Sequence, residues 1–484
     1  MPSESKLYIV GIGPGGHDQI TRKAVEAIRR SDYVVGYRTY LDLVRDLLGD
    51  KQVVSSGMGG EVDRAKTAVD LLEKGSVALI SSGDPNVYGM GGLGLEVASH
   101  RVDLDRAEVV PGITSFTAAA CHSGITFRDS AAIISLSDLL TPWGDIEQRV
   151  RAVTAAGMPL ALYNPRSKKR TWQLEKTLEI CSRQGRGNED LLVAKKVARP
   201  GEEILWTSVD QMMEKEELRN EVDMFSLIII GGEGMIRSGS PVPDSRIGIV
   251  GIGPGDQSHL TLEAERLLKG SEIVLGAERY LRSIKEMIKG KGETIPHQGI
   301  PEERMKSSLL TAKAASDRGK TASILTGGDP SLFGSSWRVL EEARGSGCSV
   351  HVAPGLSAFS AVAARAGAPL VNDFIVLSWP GDGPRLEKIL QLMEKGFGVV
   401  IYNLDADRLS LLTDLVGHMD RASALARDVA RPEEVVTVAN ILDLAAQKRE
   451  IEGMRWTIIV AGPNSYIQND KIITRRGYET KYDY

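Results

Sequence analysis

The feature that most constrains this chain is that it is written twice. Leu7-Tyr-Ile-Val-Gly-Ile-Gly-Pro-Gly15 returns as Ile247-Gly-Ile-Val-Gly-Ile-Gly-Pro-Gly255. Later segments echo in the same order. Ser81-Ser-Gly-Asp-Pro85 answers Thr326-Gly-Gly-Asp-Pro330, and Pro111-Gly-Ile-Thr114 answers Pro354-Gly-Leu-Ser357. Leu162-Tyr-Asn164 answers Ile401-Tyr-Asn403, and Ala198-Arg-Pro200 answers Ala430-Arg-Pro432. A unit this long is a whole folded module, because solenoid repeats run to only about 20–50 residues. Two copies of one architecture are expected, and any function read from one copy must be asked of the other.

Each copy opens on a buried-strand pattern, a glycine turn and an amphipathic helix. In the first, Leu7–Val10 leads into Gly11–Gly16, and Thr21–Arg30 sets Ala24, Val25, Ala27 and Ile28 on one face. Short apolar runs then alternate with helical stretches, at Tyr33–Val35, Val77–Ile80, Val109–Val110, Ala131–Leu136, Leu160–Tyr163, Leu191–Ala194 and Leu227–Ile230. This alternation predicts an α/β fold with a largely parallel sheet. A turn-like segment puts a subdomain boundary near residues 122–130, with its counterpart near 366–374. The units are read as 1–236 and 246–484. The Gly-, Ser- and Pro-rich linker 237–245 suits a surface connection. The polar tail from Tyr466 is expected to pack loosely.

Composition excludes more than it assigns. A formal net charge of −5 over 484 residues gives no support to nucleic-acid binding. The opening Met-Pro-Ser-Glu-Ser-Lys lacks the basic and apolar regions of a signal peptide. No apolar stretch approaches the roughly 20 residues that span a membrane. Cys121, Cys181 and Cys348 are far apart, so neither a disulfide framework nor a cysteine metal site is expected. His17 and His297 read as local hydrogen-bonding residues, and a cytoplasmic location is the default.

Gly11-Ile-Gly-Pro-Gly-Gly16 has the spacing of a dinucleotide-binding loop. Pro14 removes an N–H from the loop that would cradle pyrophosphate, and the second copy breaks the pattern at Asp256. A nucleotide-dependent oxidoreductase is therefore the weaker alternative. Ser82-Gly83-Asp84 follows a strand and so lies where open α/β sheets place ligands. Asp84 either caps the next turn or accepts hydrogen bonds from a ligand. Thr114 and Ser115 stand at a helix start, as caps or as holders of a polar ligand end. The three strand-end loops make a plausible cofactor pocket.

These residues, in this order, resemble the tetrapyrrole methylases, which use S-adenosylmethionine. Within that family, residues 1–236 resemble the precorrin-3B C17-methyltransferases and their cobalt-containing counterparts. The carrying segments are Val35-Gly-Tyr-Arg-Thr-Tyr-Leu-Asp42, Ser81–Met90, Ser135-Leu-Ser-Asp-Leu-Leu-Thr-Pro-Trp143 and Ala161-Leu-Tyr-Asn-Pro-Arg-Ser167. Met90 and Leu93 stand where the uroporphyrinogen methylases would have Arg and Glu. Residues 246–484 keep the cofactor loops but lose the substrate segments: Leu377-Ser-Trp-Pro-Gly-Asp382 replaces Ser135–Trp143, and Asn403-Leu-Asp-Ala replaces Asn164-Pro-Arg-Ser.

The resemblance implies a tandem duplication, each unit having two α/β subdomains that flank a cofactor cleft. It implies S-adenosyl-L-methionine as methyl donor, S-adenosyl-L-homocysteine as product, and a corrin precursor methylated at C17 with ring contraction. Carried over by motif, the cofactor contacts are Pro14, Ser82, Gly83, Asp84, Thr114, Ser115, Asn164 and Ala198. In the second unit they are Pro254, Gly327, Gly328, Asp329, Ser357, Ala358, Asn403 and Ala430. Asp138 and Tyr163 are the candidates for moving a proton during ring contraction. The basic run Arg166, Lys168, Lys169 and Arg170 suits the substrate's carboxylates. No metal site is implied. Whether the substrate already holds cobalt stays open. The second unit is either a further methylase or a non-catalytic partner, and the tandem implies an internal pseudo-dimer or a homo-oligomer.

Overall fold

The computed structural model describes residues 5–290, 292–297, 299, 301–334, 336–379, 383–446, 453 and 456–482. The first copy begins with β1 (Leu7–Gly11), β2 (Tyr33–Tyr37), β3 (Gln52–Ser56), β4 (Val77–Ser81) and β5 (Ala107–Val110). They form one all-parallel sheet in the order β3-β2-β4-β1-β5. Leu7, Ile9, Leu79 and Val109 fill one face, and Val10, Ala78, Ile80 and Val110 fill the other. Burial on both faces explains why these strands read as continuous apolar runs. The helix Arg22–Arg30 starts on Thr21, whose hydroxyl accepts from the Ala24 N–H, and it buries the four residues expected. β1, β4 and β5 end on the same sheet edge, which brings the three glycine loops together.

Through residues 122–130 the chain crosses to a second sheet. It then supplies β6 (Ile125–Phe127), β7 (Ser130–Ser135), β8 (Leu160–Tyr163), β9 (Asp190–Lys195), β10 (Glu203–Ser208), β11 (Ser226–Ile230) and β12 (Met235–Arg237). β6 and β12 make a ribbon of their own, and the others lie in the order β10-β9-β11-β8-β7. Here the expectation of a parallel sheet is corrected. Only β7 and β8 run parallel; β9, β10 and β11 pair antiparallel. The hairpin β9–β10 turns within Lys196–Glu202, too short for the crossover a parallel pair needs.

The second copy repeats the plan. β13 (Ile247–Gly251), β14 (Ile273–Gly276), β15 (Glu293–Pro296), β16 (Ala322–Thr326) and β17 (His351–Ala353) adopt the order β15-β14-β16-β13-β17. There follow β18 (Gly367–Ala368), β19 (Phe374–Ser378), β20 (Gly398–Leu404), β21 (Ala422–Arg427), β22 (Val435–Asn440), β23 (Trp456–Val460), β24 (Ser465–Gln468) and β25 (Lys471–Thr474). The equivalent strands β7 and β19 pair antiparallel, Ile133 opposite Phe374 and Ala131 opposite Val376. That pairing fuses the second sheets of both copies into one ten-stranded sheet. It also sets a pseudo-two-fold axis at the seam, since each copy offers the same strand to the other. Thr21 and Thr261, the caps of equivalent helices, bridge about the same relation.

One carboxylate ties the seam. Asp373 of the second copy is buried. Its Oδ1 accepts from the Tyr88 hydroxyl at 2.7 Å and the Ser135 N–H at 3.0 Å, and its Oδ2 faces Arg149 Nη1 at 2.8 Å. All three partners belong to the first copy. The tail does not pack loosely: β24 and β25 form a hairpin against β18, and Ile473 joins the first copy's core with Leu93 and Val97. The linker is likewise docked, with Ser238 N–H on the Gly124 carbonyl at 3.0 Å and Val242 N–H on the Val350 carbonyl at 2.8 Å. Among the described residues no helix is long and apolar enough to cross a membrane.

Candidate active site

Five loops of the first copy converge where its two sheets meet. Gly13 and Gly83 exchange hydrogen bonds, Gly13 N–H to the Gly83 carbonyl at 3.2 Å and Gly83 N–H to the Gly13 carbonyl at 2.7 Å. This ties the β1 loop to the β4 loop. Gly112, after β5, packs so close that a Cβ on it would sit 2.3 Å from the Gly83 carbonyl. Gly83 itself is different. Its φ is +64°, and a Cβ there would meet nothing nearer than the Ile113 carbonyl at 3.9 Å. Bare backbone in a left-handed conformation therefore borders open space, a cradle a ligand can approach closely.

The second sheet supplies the other wall. Tyr163, ending β8, accepts at its hydroxyl from the Phe116 N–H at 3.0 Å. Asn164 follows at φ +49° and reaches Ser135 Oγ at 3.0 Å through Nδ2. Ala198 sits at φ +57°, with its N–H held by Glu202 Oε2 at 2.9 Å. A non-glycine residue in this region costs about 1–3 kcal/mol, and such strain concentrates at ligand sites. Arg199 closes the cleft: Nε donates to the Pro14 carbonyl at 2.7 Å and Nη2 to Ser82 Oγ at 3.1 Å. Arg199 is not among the residues that the motifs nominate. The signal was present, since Ala-Arg-Pro occurs in both copies.

The other nominated residues divide by what their side chains already do. Asp84 is fully buried; Oδ1 accepts from the Asn86 N–H at 2.7 Å, and Oδ2 has no partner among the described residues. Burial raises its pKa to about 7. The capping alternative for Asp84 is thus the one its side chain adopts. Thr114 caps its helix, Oγ1 accepting from the Thr117 N–H at 3.1 Å, and Ser115 is half-buried beside it. Asp138 accepts from Gln173 Nε2 at 2.8 Å and stands 4.0 Å from Arg170. Burial holds Tyr163 well above the ordinary tyrosine range. The basic run splits: Arg166 donates to the Arg219 carbonyl and Arg170 to the Asn164 carbonyl, while Lys168 and Lys169 are exposed. His17 pairs with Asp46 and His297 with Ser308. Among the described residues no group of three or more His, Cys, Asp or Glu could hold a metal ion.

The second copy rebuilds the cleft nearly part for part. Gly253 bridges Gly328, which has φ +67° and the same open space before it. Asn403 and Ala430 both sit at φ +61°. Asn403 Nδ2 reaches Ser378 Oγ at 2.9 Å, and Ala430 N–H is held by Glu434 at 2.6 Å. Tyr402 takes the Phe359 N–H at 2.8 Å, beside Ser357 and Ala358. Arg431 Nε reaches the Pro254 carbonyl at 3.1 Å. Gly327 lies against the Tyr280 ring. Asp329 is buried like Asp84, with its pKa raised to about 6 by desolvation. Of the replacement segment Leu377–Asp382, the last three residues lie outside the described ones.

The arrangement also weighs against a dinucleotide. Gly13 and Gly83 spend their N–H groups on each other, so the glycine loop has few left for pyrophosphate. The model of the Tetrapyrrole (Corrin/Porphyrin) Methylases matches residues 6–212 and again 246–445. The chain belongs to the tetrapyrrole methylases. Among curated members, a cobalamin biosynthesis protein of Archaeoglobus fulgidus is 39% identical over 232 residues, 48% of this chain and 50% of that protein. A probable cobalt-factor III C(17)-methyltransferase of Salmonella typhimurium is 39% identical over 229 residues, 47% of this chain and 92% of that protein. A precorrin-3B C(17)-methyltransferase of Sinorhizobium is 34% identical, covering 46% of this chain and 88% of that protein. The matching part of this tetrapyrrole methylase is its N-terminal half. The chain spans about half the length of the Archaeoglobus protein and 42% of a cobalt-factor III methyltransferase from Priestia megaterium.

Proposed function

We propose that the first unit transfers a methyl group from S-adenosyl-L-methionine to C17 of a corrin precursor, with ring contraction, in cobalamin biosynthesis. One observation carries this: the N-terminal half is 39% identical to the Salmonella C17-methyltransferase across 92% of that protein. Bound in the cleft, the cofactor supplies an electrophilic methyl group on a sulfonium. The residues present fit such a ligand. Gly83 offers uncovered backbone, Thr114 and Ser115 a helix start, and Asn164 and Ala198 strained backbone opposite. The protein's work is then alignment and exclusion of water rather than covalent catalysis.

Asp138 is the better of the two proton-handling candidates, because burial holds the Tyr163 hydroxyl well above the ordinary tyrosine range whereas the Asp138 carboxylate is only partly buried. Lys168 and Lys169, which have no ion pair among the described residues, are the part of the basic run left to meet substrate carboxylates. The second unit is proposed to bind the same cofactor, since it repeats the Gly328 cradle and the Arg431 contact. Its substrate segments differ, so it acts on another substrate or serves as a partner. The test is the mass of the tetrapyrrole product after incubating the intact chain with S-adenosylmethionine and cobalt-free or cobalt-loaded precorrin-3-level substrate. One methyl gained, lost in Arg199→Met and kept in Arg431→Met, supports the assignment. No gain with either substrate overturns it.

A further inference from the structure

The pseudo-two-fold axis creates two equivalent clefts along the seam, and their chemistry has diverged. One, of about 660 Å³, is lined by Gln19, His122 and Glu202 of the first copy with Glu263 and His351 of the second. The other, of about 160 Å³, has the repeat-related residues His259 and Arg365 of the second copy with Lys23 and Glu108 of the first. Glu263 of the first cleft thus becomes Lys23 in the second, and His122 becomes Arg365. Lys6 and Lys471 complete the smaller cleft. The fold alone does not demand this charge, because the sister cleft carries Asp18, Glu202 and Glu263 in its wall.

We infer that the smaller cleft is a binding site for a phosphate-class oxyanion, held between the two copies. The charges there do not cancel. Lys23 pairs with Glu108 at 2.7 Å and Arg365 with Glu434 at 2.9 Å. Lys6 and Lys471 have no ion pair among the described residues, and the one further acid of the lining, Asp105, is exposed as Lys6 is, which leaves four cationic side chains of the lining against two carboxylates. His259 is 4% exposed, and its Nδ1 has no hydrogen-bond partner among the described residues. An unmet buried polar atom costs about 1–3 kcal/mol, so a partner that enters the cavity is favoured. Phosphate supplies two charges for two ammonium groups and several acceptor oxygens for an imidazole N–H. The volume is far above the roughly 10–15 Å³ that one water needs.

The positive charge of the cleft also acts on its titratable groups. Burial, then the nearby Lys23, lowers the His259 pKa to about 4, against the opposing pull of Asp256 and Glu108; Arg365 adds to the lowering. Burial lowers Lys471 as well, with Arg365 adding to it, against the opposing pull of Asp105, Glu108 and Asp470. A bound dianion would reverse both directions. Because Lys6, Lys23 and Glu108 come from one copy and His259, Arg365 and Lys471 from the other, the anion would also bind the copies together.

The test is calorimetric titration of the intact chain with inorganic phosphate, at ionic strength held constant with sodium chloride, alongside thermal unfolding. Saturable binding with a matching rise in Tm is expected. Lys471→Gln and, separately, Lys6→Gln should each weaken it about tenfold, the effect of losing one charge-assisted contact. His17→Gln, in the sister cleft, should leave it unchanged. The His259 imidazole should titrate at higher pH with phosphate present. A small phosphomonoester binding more tightly than phosphate identifies a phosphometabolite site; the reverse identifies a free-anion site, and both support the inference. Equal Tm rises with acetate or chloride, or binding undiminished in both lysine variants, overturns it.

Discussion

Asp84 is the place where pH and folding should meet most directly. Its carboxyl ionises near 3.8 when unperturbed and at about 7 in the fold, because desolvation opposes the charged form. Between those values the unfolded chain has released a proton that the folded chain keeps. Stability therefore falls as pH rises through this window, and the loss is complete above about pH 7. At about 1.4 kcal/mol per pH unit, the full penalty is ~4 kcal/mol. Asp84→Asn keeps the Oδ1 acceptor for Asn86 and cannot ionise. Relative to the parent it should be clearly more stable at pH 8, on the order of 10 °C in Tm for a unit this size, with the gap shrinking toward pH 5. Thermal unfolding of both proteins from pH 5 to 8.5, followed by circular dichroism, measures this. A Tm difference that is flat with pH, or an Asn variant less stable at pH 8, would refute the assignment of a desolvated carboxyl.

Three further outcomes follow from the site and the seam. Arg199→Met removes both donors that close the first cleft, and should weaken binding of S-adenosylhomocysteine about tenfold or more by calorimetry, given about 1–3 kcal/mol for such contacts; unchanged affinity would remove Arg199 from the site. Tyr163→Phe leaves the Phe116 N–H without its acceptor and should cost about 1–3 kcal/mol of stability while the pH–rate profile keeps its shape; loss of one limb of that profile would make Tyr163 the proton carrier after all. Asp373→Ala strands Arg149 in the seam and should cost about 3–5 kcal/mol, much of it recovered on adding Arg149→Met. Simple additivity of the two would show that the pair is not coupled.

The fold was legible wherever local pattern and burial agree. Strands buried on both faces, such as β1 and β4, read as apolar runs, and Thr21 with its helix read from spacing alone. β3 and β10 were missed because they lie largely exposed or half-exposed, with no buried face to write a pattern. The antiparallel character of the second sheet depends on loop length and pairing, which no single segment states. In the site, the motif order located the five loops, whereas side-chain roles were hidden. Asp84 and Thr114 have the residue types that both capping and ligand contact call for, and only their observed partners separate the two. Asp373 carried no signal at all, since its partners lie in the other copy and far away in sequence.

Joining the two copies in one chain changes what their seam can become. When two identical chains assemble about a two-fold axis, every substitution is made on both sides at once, so both clefts must suit the same residue. Joined in one chain, the two sides are free of that bond. Thr21 still faces Thr261, and β7 still pairs with β19, so the backbone contacts that require likeness have kept it. Lys23 and Glu263, equivalent in position, have taken opposite charge. The tandem thus works as an obligate heterodimer with fixed stoichiometry, and its asymmetry can be altered one side at a time.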